Sequence, residues 1–142
     1  MSSGEIKLGK EIRVQLWKLL ESLETSTDLE GTAIITKEGL RIASSTNAEV
    51  QSDAHSASPS VLISLGEKFI RDLQYGNLTE ILISGEEGYT IIIVGDEHTN
   101  FILISHSKKA SKLGYYFHRL RKAYKLLSDL LKDIEISKDA TY

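Results

Sequence analysis

The sequence contains no cysteine, one proline and one tryptophan. Without thiols there is no disulfide, no thiolate zinc site and no cysteine nucleophile. No apolar run comes near the ~20 residues that a membrane-spanning helix requires. Residues 1–10 hold no continuous apolar stretch, so no secretory leader is expected. Residue 2 is Ser rather than Gly, which argues against myristoylation. Together these absences make the cytoplasm the expected location. Catalytic motifs are missing as well. There is no G-x-x-x-x-G-K-S/T loop to cradle phosphate and no G-x-S-x-G nucleophile elbow. Gly85, Gly88 and Gly95 join strands to strands, so they do not form a dinucleotide fingerprint, which joins a strand to a helix.

The residues that are present make an ordinary globular composition. The 142 residues are 41% hydrophobic and 26% charged, enough to bury a core without staples. A single domain over residues 1–135 is expected, with its core in 12–131 and a C-terminal tail at 136–142. The net charge of −3 conceals an asymmetry: residues 106–128 hold seven cations and no carboxylate, leaving 10 basic and 20 acidic residues elsewhere. A basic stretch on an acidic body can steer a partner, although a solvated helix face explains it equally simply.

Hydrophobic spacing predicts the elements. Residues 5–25 read as a helix, with Ile12, Leu16, Leu19 and Leu23 on one stripe. Trp17, beside that stripe, is expected to pack in the core. Residues 31–45 read as a β-hairpin turning at Lys37-Glu38-Gly39, where Gly39 can take positive φ. Residues 46–58 are polar and read as a loop. Ser58-Pro59 opens a second helix expected to run to about residue 75 and stop at Gly76-Asn77. Val61, Leu65, Phe69 and Leu73 form its i, i+4 stripe, with Leu62 and Ile70 beside it. Its small residues, Gly66 among them, suit close approach by another helix or packing on a sheet. Strands follow at 78–84, 89–94 and 99–105. The apolar Ile91 to Val94 run suggests a central strand covered on both faces. Alternation puts Leu78, Glu80 and Leu82 on one face of their strand, and Ile81 and Ile83 on the other. A last helix is expected over 109–134, its stripe running through Leu113, Phe117, Leu120, Tyr124, Leu127 and Leu131. The order is α-β-β-α-β-β-β-α, an α/β (α+β) domain with a five-stranded antiparallel sheet.

This order, together with the stretch Leu29-Glu-Gly-Thr-Ala-Ile-Ile-Thr-Lys-Glu-Gly-Leu-Arg-Ile-Ala-Ser44, resembles the Roadblock/dynein light chain family. The resemblance continues through the small-residue helix after Ser58 and is renewed at Asn100-Phe-Ile-Leu-Ile104 and Leu113-Gly114. It departs at Pro59 and the serines of the middle helix, where relatives are usually rich in Ala, and in the basic residues between 105 and 112. It implies a profilin-like Roadblock fold and a non-enzymatic module that dimerises through the middle helix and the neighbouring strand. Such modules scaffold or regulate Ras-like small GTPases. A free-standing domain of this size is most similar to the bacterial and archaeal branch, in which the dimer activates a partner GTPase.

The four histidines, His55, His98, His106 and His118, are spread over separate segments, whereas a metal site needs three or four convergent ligands. No metal, cofactor or catalytic residue is expected. Ser105-His106-Ser107 sets a hydroxyl beside an imidazole, but neighbours in a strand face opposite ways. The mixture of Tyr115 to His118 with Arg119, Arg121 and Lys122 allows a nucleic-acid reading, with Phe117 assigned to the buried stripe. A small-molecule sensor of the PAS or profilin-like kind is a further alternative, because its elements are the same. Following the resemblance, the expected dimer surface is Val61, Leu62, Leu65, Phe69, Leu78, Glu80 and Leu82, engaging a second copy or a related Roadblock protein. The expected partner surface is Ser64, Lys68, Arg71, Lys108, Lys109 and Lys112. The three last lysines are expected at the positive N-terminal end of the final helix, where an acidic partner would offset the unfavourable dipole. On that reading, reversing their charge should leave the isolated domain unharmed.

Overall fold

A computed structural model describes residues 8–47, 58–96, 98–109 and 112–132. Among them the order is α1 (Lys10–Thr27), β1 (Gly31–Thr36), β2 (Arg41–Ser44), α2 (Ser58–Asp72), β3 (Glu80–Ser84), β4 (Gly88–Ile93), β5 (Phe101–Lys108) and α3 (Leu113–Leu131). The expected order of elements is found. The strands form one sheet in the order β2-β1-β5-β4-β3, with every neighbouring pair antiparallel. Hairpins make β1–β2, β3–β4 and β4–β5. The step from β2 to β3 crosses the whole sheet and carries α2 with it.

Alternation along the strands builds two cores. On one face Ile34, Ile91, Ile93, Phe101 and Leu103 meet Leu16, Leu20 and Leu23 of α1 and Leu120 and Leu127 of α3. Each such side chain, when fully buried, contributes about 1.5–3 kcal/mol. On the other face Ala33, Ile35, Ile92, Val94, Ile102 and Ile104 lie under Ile63, with Leu62, Leu78 and Ile81 packed against them. Residues 91–94 are buried on both faces as expected, but the central strand is β5; β4 lies between it and the edge strand β3.

Turn chemistry explains the element ends. α1 stops at Asp28, which turns to a left-handed φ of 71° while its N–H still donates to the Glu24 carbonyl at 3.2 Å. Gly39 takes φ 100° in the first hairpin, as its position predicts. α2 ends at Asp72, short of the expected residue 75, because Gln74 and Gly76 both adopt positive φ. Gly95 is locked by contact: a Cβ there would lie 2.2 Å from the Tyr124 hydroxyl oxygen. That hydroxyl bonds with Thr99 Oγ1 at 2.7 Å and donates to the Phe101 carbonyl at 2.9 Å, pinning the β4–β5 turn to α3. Burial pushes the Tyr124 phenol up to about 12.

Several expected boundaries and placements are corrected. The segment over 46–58 begins with a helical turn at Thr46 and Asn47; residues 48–57 lie outside the described residues, as do 1–7 and 133–142. Glu21 and Glu24, one turn apart on α1, hold that turn by accepting bonds from Thr46 N–H and Asn47 Nδ2. β5 runs on to Lys108 because Ser105 and Ser107, polar in sequence, are buried in the ladder. α3 therefore starts at Leu113, not near residue 109, and ends at Leu131. Tyr116 is buried, while Phe117 is partly buried beneath the Arg121 guanidinium, 5.1 Å from the ring centroid. Trp17 is 43% exposed, because it sits off the face formed by Leu16, Leu20 and Leu23.

Candidate interaction surface

α2 is apolar around much of its girth, so spacing alone does not say which side meets the sheet. Ile63 is buried, and Leu62 and Gly66 face the same way. A Cβ on Gly66 would lie 3.0 Å from Leu78 Cδ2 and 3.7 Å from Ile81 Cδ1. The absence of a side chain there lets α2 settle onto the β3 side of the sheet, so Gly66 serves sheet packing rather than a second helix. The conspicuous stripe is the one turned outward. Val61, Leu65, Phe69 and Leu73 are 58%, 54%, 69% and 56% exposed. Over 12 residues of helix that ridge is roughly 18 Å long. Tyr75 extends it at 72% exposed.

Beside this ridge lies an open sheet edge. β3 pairs with β4 on one side only, and Leu82 and Ile83 are each 41% exposed. The opposite edge is finished differently, with Ile42 and Ser44 of β2 buried. A long apolar helix face next to an unpaired strand is a candidate association surface, since both are costly to leave in water.

The expected dimer residues divide between the two sides of α2 and β3. Val61, Leu65 and Phe69 stand on the exposed ridge and Leu82 on the edge. Leu62 is half-buried against the sheet. Leu78 lies before β3 and packs with Ile81 under α2, so it does not share a face with Glu80 and Leu82 as alternation suggested. Glu80 is held within the chain by Arg121 of α3, whose Nη2 donates to Glu80 Oε1 at 2.8 Å and whose Nε makes a second bond to Oε2. That contact raises the Arg121 pKa. Leu73, Tyr75 and Ile83 are exposed as well and extend the surface beyond the expected residues. The i+4 continuation from Phe69 pointed to the first of these.

The expected partner residues are scattered. Ser64, Lys68 and Arg71 are exposed on α2, and Lys68 pairs with Asp72 at 2.7 Å. The three later lysines do not share a helix start. Lys108 closes β5, 3.9 Å from Glu30. Lys109 caps the β3–β4 hairpin, donating to Ser84 Oγ at 2.5 Å and the Gly85 carbonyl at 3.0 Å, with its ammonium 4.7 Å from the Tyr89 ring centroid. Lys112 alone sits at the α3 N-terminus, where Asp28 at 2.9 Å raises its pKa. Reversing all three charges would therefore break bonds inside the domain, contrary to expectation.

Among the described residues no group of three or more His, Asp or Glu converges on a metal-sized site. His106 is partly buried on the α2 side of the sheet, its Nδ1 2.9 Å from Thr90 Oγ1. Burial lowers its pKa, and Glu30 partly opposes that. Ser105 and Ser107 face the opposite side from His106 along the strand, and their hydroxyls have no hydrogen-bond partner among the described residues. A shallow pocket of about 390 Å³ lies between the end of α1 and the start of α3, lined by Ser26, Thr27, Asp28, Lys112 and Tyr115. Its lining comes from the helix ends, not from the strands. No described helix is long and apolar enough to cross a membrane.

Residues 15–105, well over half the chain, match the family model for the Roadblock/LC7 domain. The chain belongs to the Roadblock/LC7 family. Solved Roadblock structures superpose on it despite low identity. Myxococcus xanthus MglB aligns with a TM-score of 0.78 at 11% identity, covering 94% of this chain and 99% of that one. An MglB described as having a tetrameric arrangement gives 0.73 at 11%, covering 94% and 98%. A Roadblock/LC7 domain from Streptomyces avermitilis gives 0.72 at 14%, covering 82% and 97%. At these identities the likeness establishes the shared fold. No curated protein sequence matches the chain significantly.

Proposed function

We propose that this Roadblock protein is a non-enzymatic regulator that self-associates through α2 and β3 and, in that form, binds a Ras-like small GTPase and modulates its hydrolysis of GTP. The observation that carries the reading is the outward ridge of Val61, Leu65, Phe69 and Leu73 beside the open edge of β3. Family membership supports the GTPase as partner, because the resemblance implies regulators of that class. The tetrameric arrangement of one MglB supports self-association in a chain of the same fold. In this reading the chain works in the cytoplasm as one domain with its core in 12–131, and it pairs with itself or with a related Roadblock protein. The sensor alternative needs a cavity among strand side chains; the pocket between the ends of α1 and α3 is not of that kind.

The test has two parts. Light scattering should give a dimer at micromolar concentration, and Phe69→Glu should give a folded monomer. Capture from native cytosol, with GTP or GDP supplied, should retain a small GTPase on the wild-type chain. The GTPase's hydrolysis rate, measured with and without the chain, then reports modulation. A monomeric wild type, or capture without any GTPase, overturns the reading.

A further inference from the structure

The backbone of β3 has two sets of hydrogen-bonding groups. The Thr79 carbonyl accepts from Val94 N–H at 2.9 Å, and Gly85 N–H donates to the Gly88 carbonyl at 2.8 Å. Backbone groups alternate sides along a strand, so residues 79, 81, 83 and 85 bond toward β4. The N–H and C=O groups of Glu80, Leu82 and Ser84 point to the open edge. Their side chains share the α1/α3 face, as the Glu80–Arg121 contact shows. Lys109 reaches that same face of the edge through its bond to Ser84 Oγ.

With the two sheets joined edge to edge by antiparallel β3 strands, as the family resemblance implies, we propose that the pairing centres on Leu82 opposite the partner's Leu82, so that Glu80 of each copy meets the partner's Lys109 in two symmetric ion pairs. The proposal rests on the self-association proposed above and adds its register and its electrostatic latch. A two-fold axis at Leu82 sets Glu80 opposite the partner's Ser84, and all six outward backbone groups find partners. An axis at Ile81 would turn Ser84 toward residue 78, outside the partner strand. An axis at Ile83 would turn Glu80 toward residue 86, in the partner's hairpin turn. Only the central register uses the whole of Glu80–Ser84.

The side chains agree with this register. Leu82 packs on its own copy. Ile83 falls opposite the partner's Ile81, on the face that α2 covers. Both Leu82 and Ile83 thereby gain the neighbours they lack in the single chain. Because Ser84 already holds the Lys109 ammonium, the position opposite Glu80 carries a positive charge. The Glu80 carboxylate bonds Arg121 on one side and has acceptor sites left for a second cation. The joint then reads Arg121, Glu80, the partner's Lys109, repeated about the axis.

The chain has no cysteine, so each introduced thiol is unique. Directly opposed, hydrogen-bonded residues have Cα atoms about 5.5 Å apart, within disulfide range. Leu82→Cys should cross-link to itself under mild oxidation. Ser84→Cys should not, because two copies of residue 84 would be four residues out of register, about 13 Å. Mixing Glu80→Cys with Ser84→Cys should restore the link. Glu80→Gln and Lys109→Met should each raise the dimer Kd about threefold at low salt, and the double variant no further. A monomeric wild type would sink the self-association itself. A dimer in which Ser84→Cys self-links, or Leu82→Cys does not, would sink the register alone. Additive effects of Glu80→Gln and Lys109→Met would sink the ion pair.

Discussion

On α1 and α3, Leu16, Leu20, Leu120 and Leu127 are fully buried, whereas Val61, Leu65 and Phe69 of α2, and Leu73 just past its end, stand more than half exposed at the same kind of helical spacing. The edge strands repeat the contrast, with Ile42 and Ser44 of β2 buried and Leu82 and Ile83 of β3 exposed. One amphipathic pattern thus does two jobs. Three- and four-residue spacing records that a stripe will be buried, but not whether its own chain or another molecule buries it. The structure separates the two and makes their consequences separable by mutation.

The largest effect is expected on the closed face. Leu120→Ala removes a fully buried side chain between helix and sheet, and should lower stability by about 2–5 kcal/mol in urea melts. Association should be unaffected wherever the variant is still folded. A loss below about 1 kcal/mol would mean that the α1/α3 layer is not the main core. The matching change on the open face is Phe69→Glu. It should weaken self-association about a hundredfold, equivalent to about 2.7 kcal/mol, while shifting the stability of the diluted monomer by no more than about 0.5 kcal/mol. If the monomer unfolds instead, the ridge serves the fold and the contrast fails.

Tyr124→Phe comes next. It deletes a hydroxyl that joins α3 to Thr99 and the Phe101 carbonyl, and should cost about 1–2 kcal/mol. The phenol's folded pKa, about 12, lies above the ordinary value of 10. The neutral form is therefore favoured by folding. Its contribution is fully present below pH 10 and is lost as pH rises toward 12. Phe at this position should abolish that alkaline loss. A wild type and variant that decline in parallel above pH 10 would show that the hydroxyl is not held as described.

The strands, hairpins and helices were legible because each carries a local cause. Gly39 needs positive φ, Ser58-Pro59 opens a helix, and Leu16, Leu20 and Leu23 recur at helical spacing. The orientation of α2 was not legible, because Val61, Leu62, Ile63, Leu65 and Ile70 surround it and period alone cannot choose a side. Gly66 against Leu78 makes the choice, and that is a long-range contact. The end of β5 was hidden for a different reason. Ser105 and Ser107 read as polar, yet they are buried, and pairing with Gly88 and Tyr89 carries the strand on to Lys108. That extension moved Lys108 and Lys109 away from α3 and removed the shared cationic site that the sequence suggested. Of the expected dimer residues, Val61, Leu65, Phe69 and Leu82 lie on the exposed surface to which pattern pointed. Glu80 could be understood only once Arg121 was seen beside it.

The smallest expected effect probes the second core, where α2 meets the sheet. His106 follows Ile102 and Ile104 on that face and faces Thr90 across the β4–β5 ladder. Burial holds its pKa below the ordinary 6.5, against the opposing charge of Glu30. A folded pKa below the unfolded one means that the unfolded chain binds the proton more readily. The contribution of neutral His106 is therefore complete above pH 6.5 and is lost as pH falls from 6.5 through the lower folded value. His106→Asn keeps a short polar side chain facing Thr90 but cannot titrate. Its stability should be nearly level over that interval, while the wild type declines. Because His106 lies in the fold and not on the ridge of α2, the dimer Kd extrapolated to the folded population should change equally little with pH in both proteins. Identical acid slopes for wild type and His106→Asn would show that the imidazole is solvated, and that this face is as open beneath α2 as it is above it.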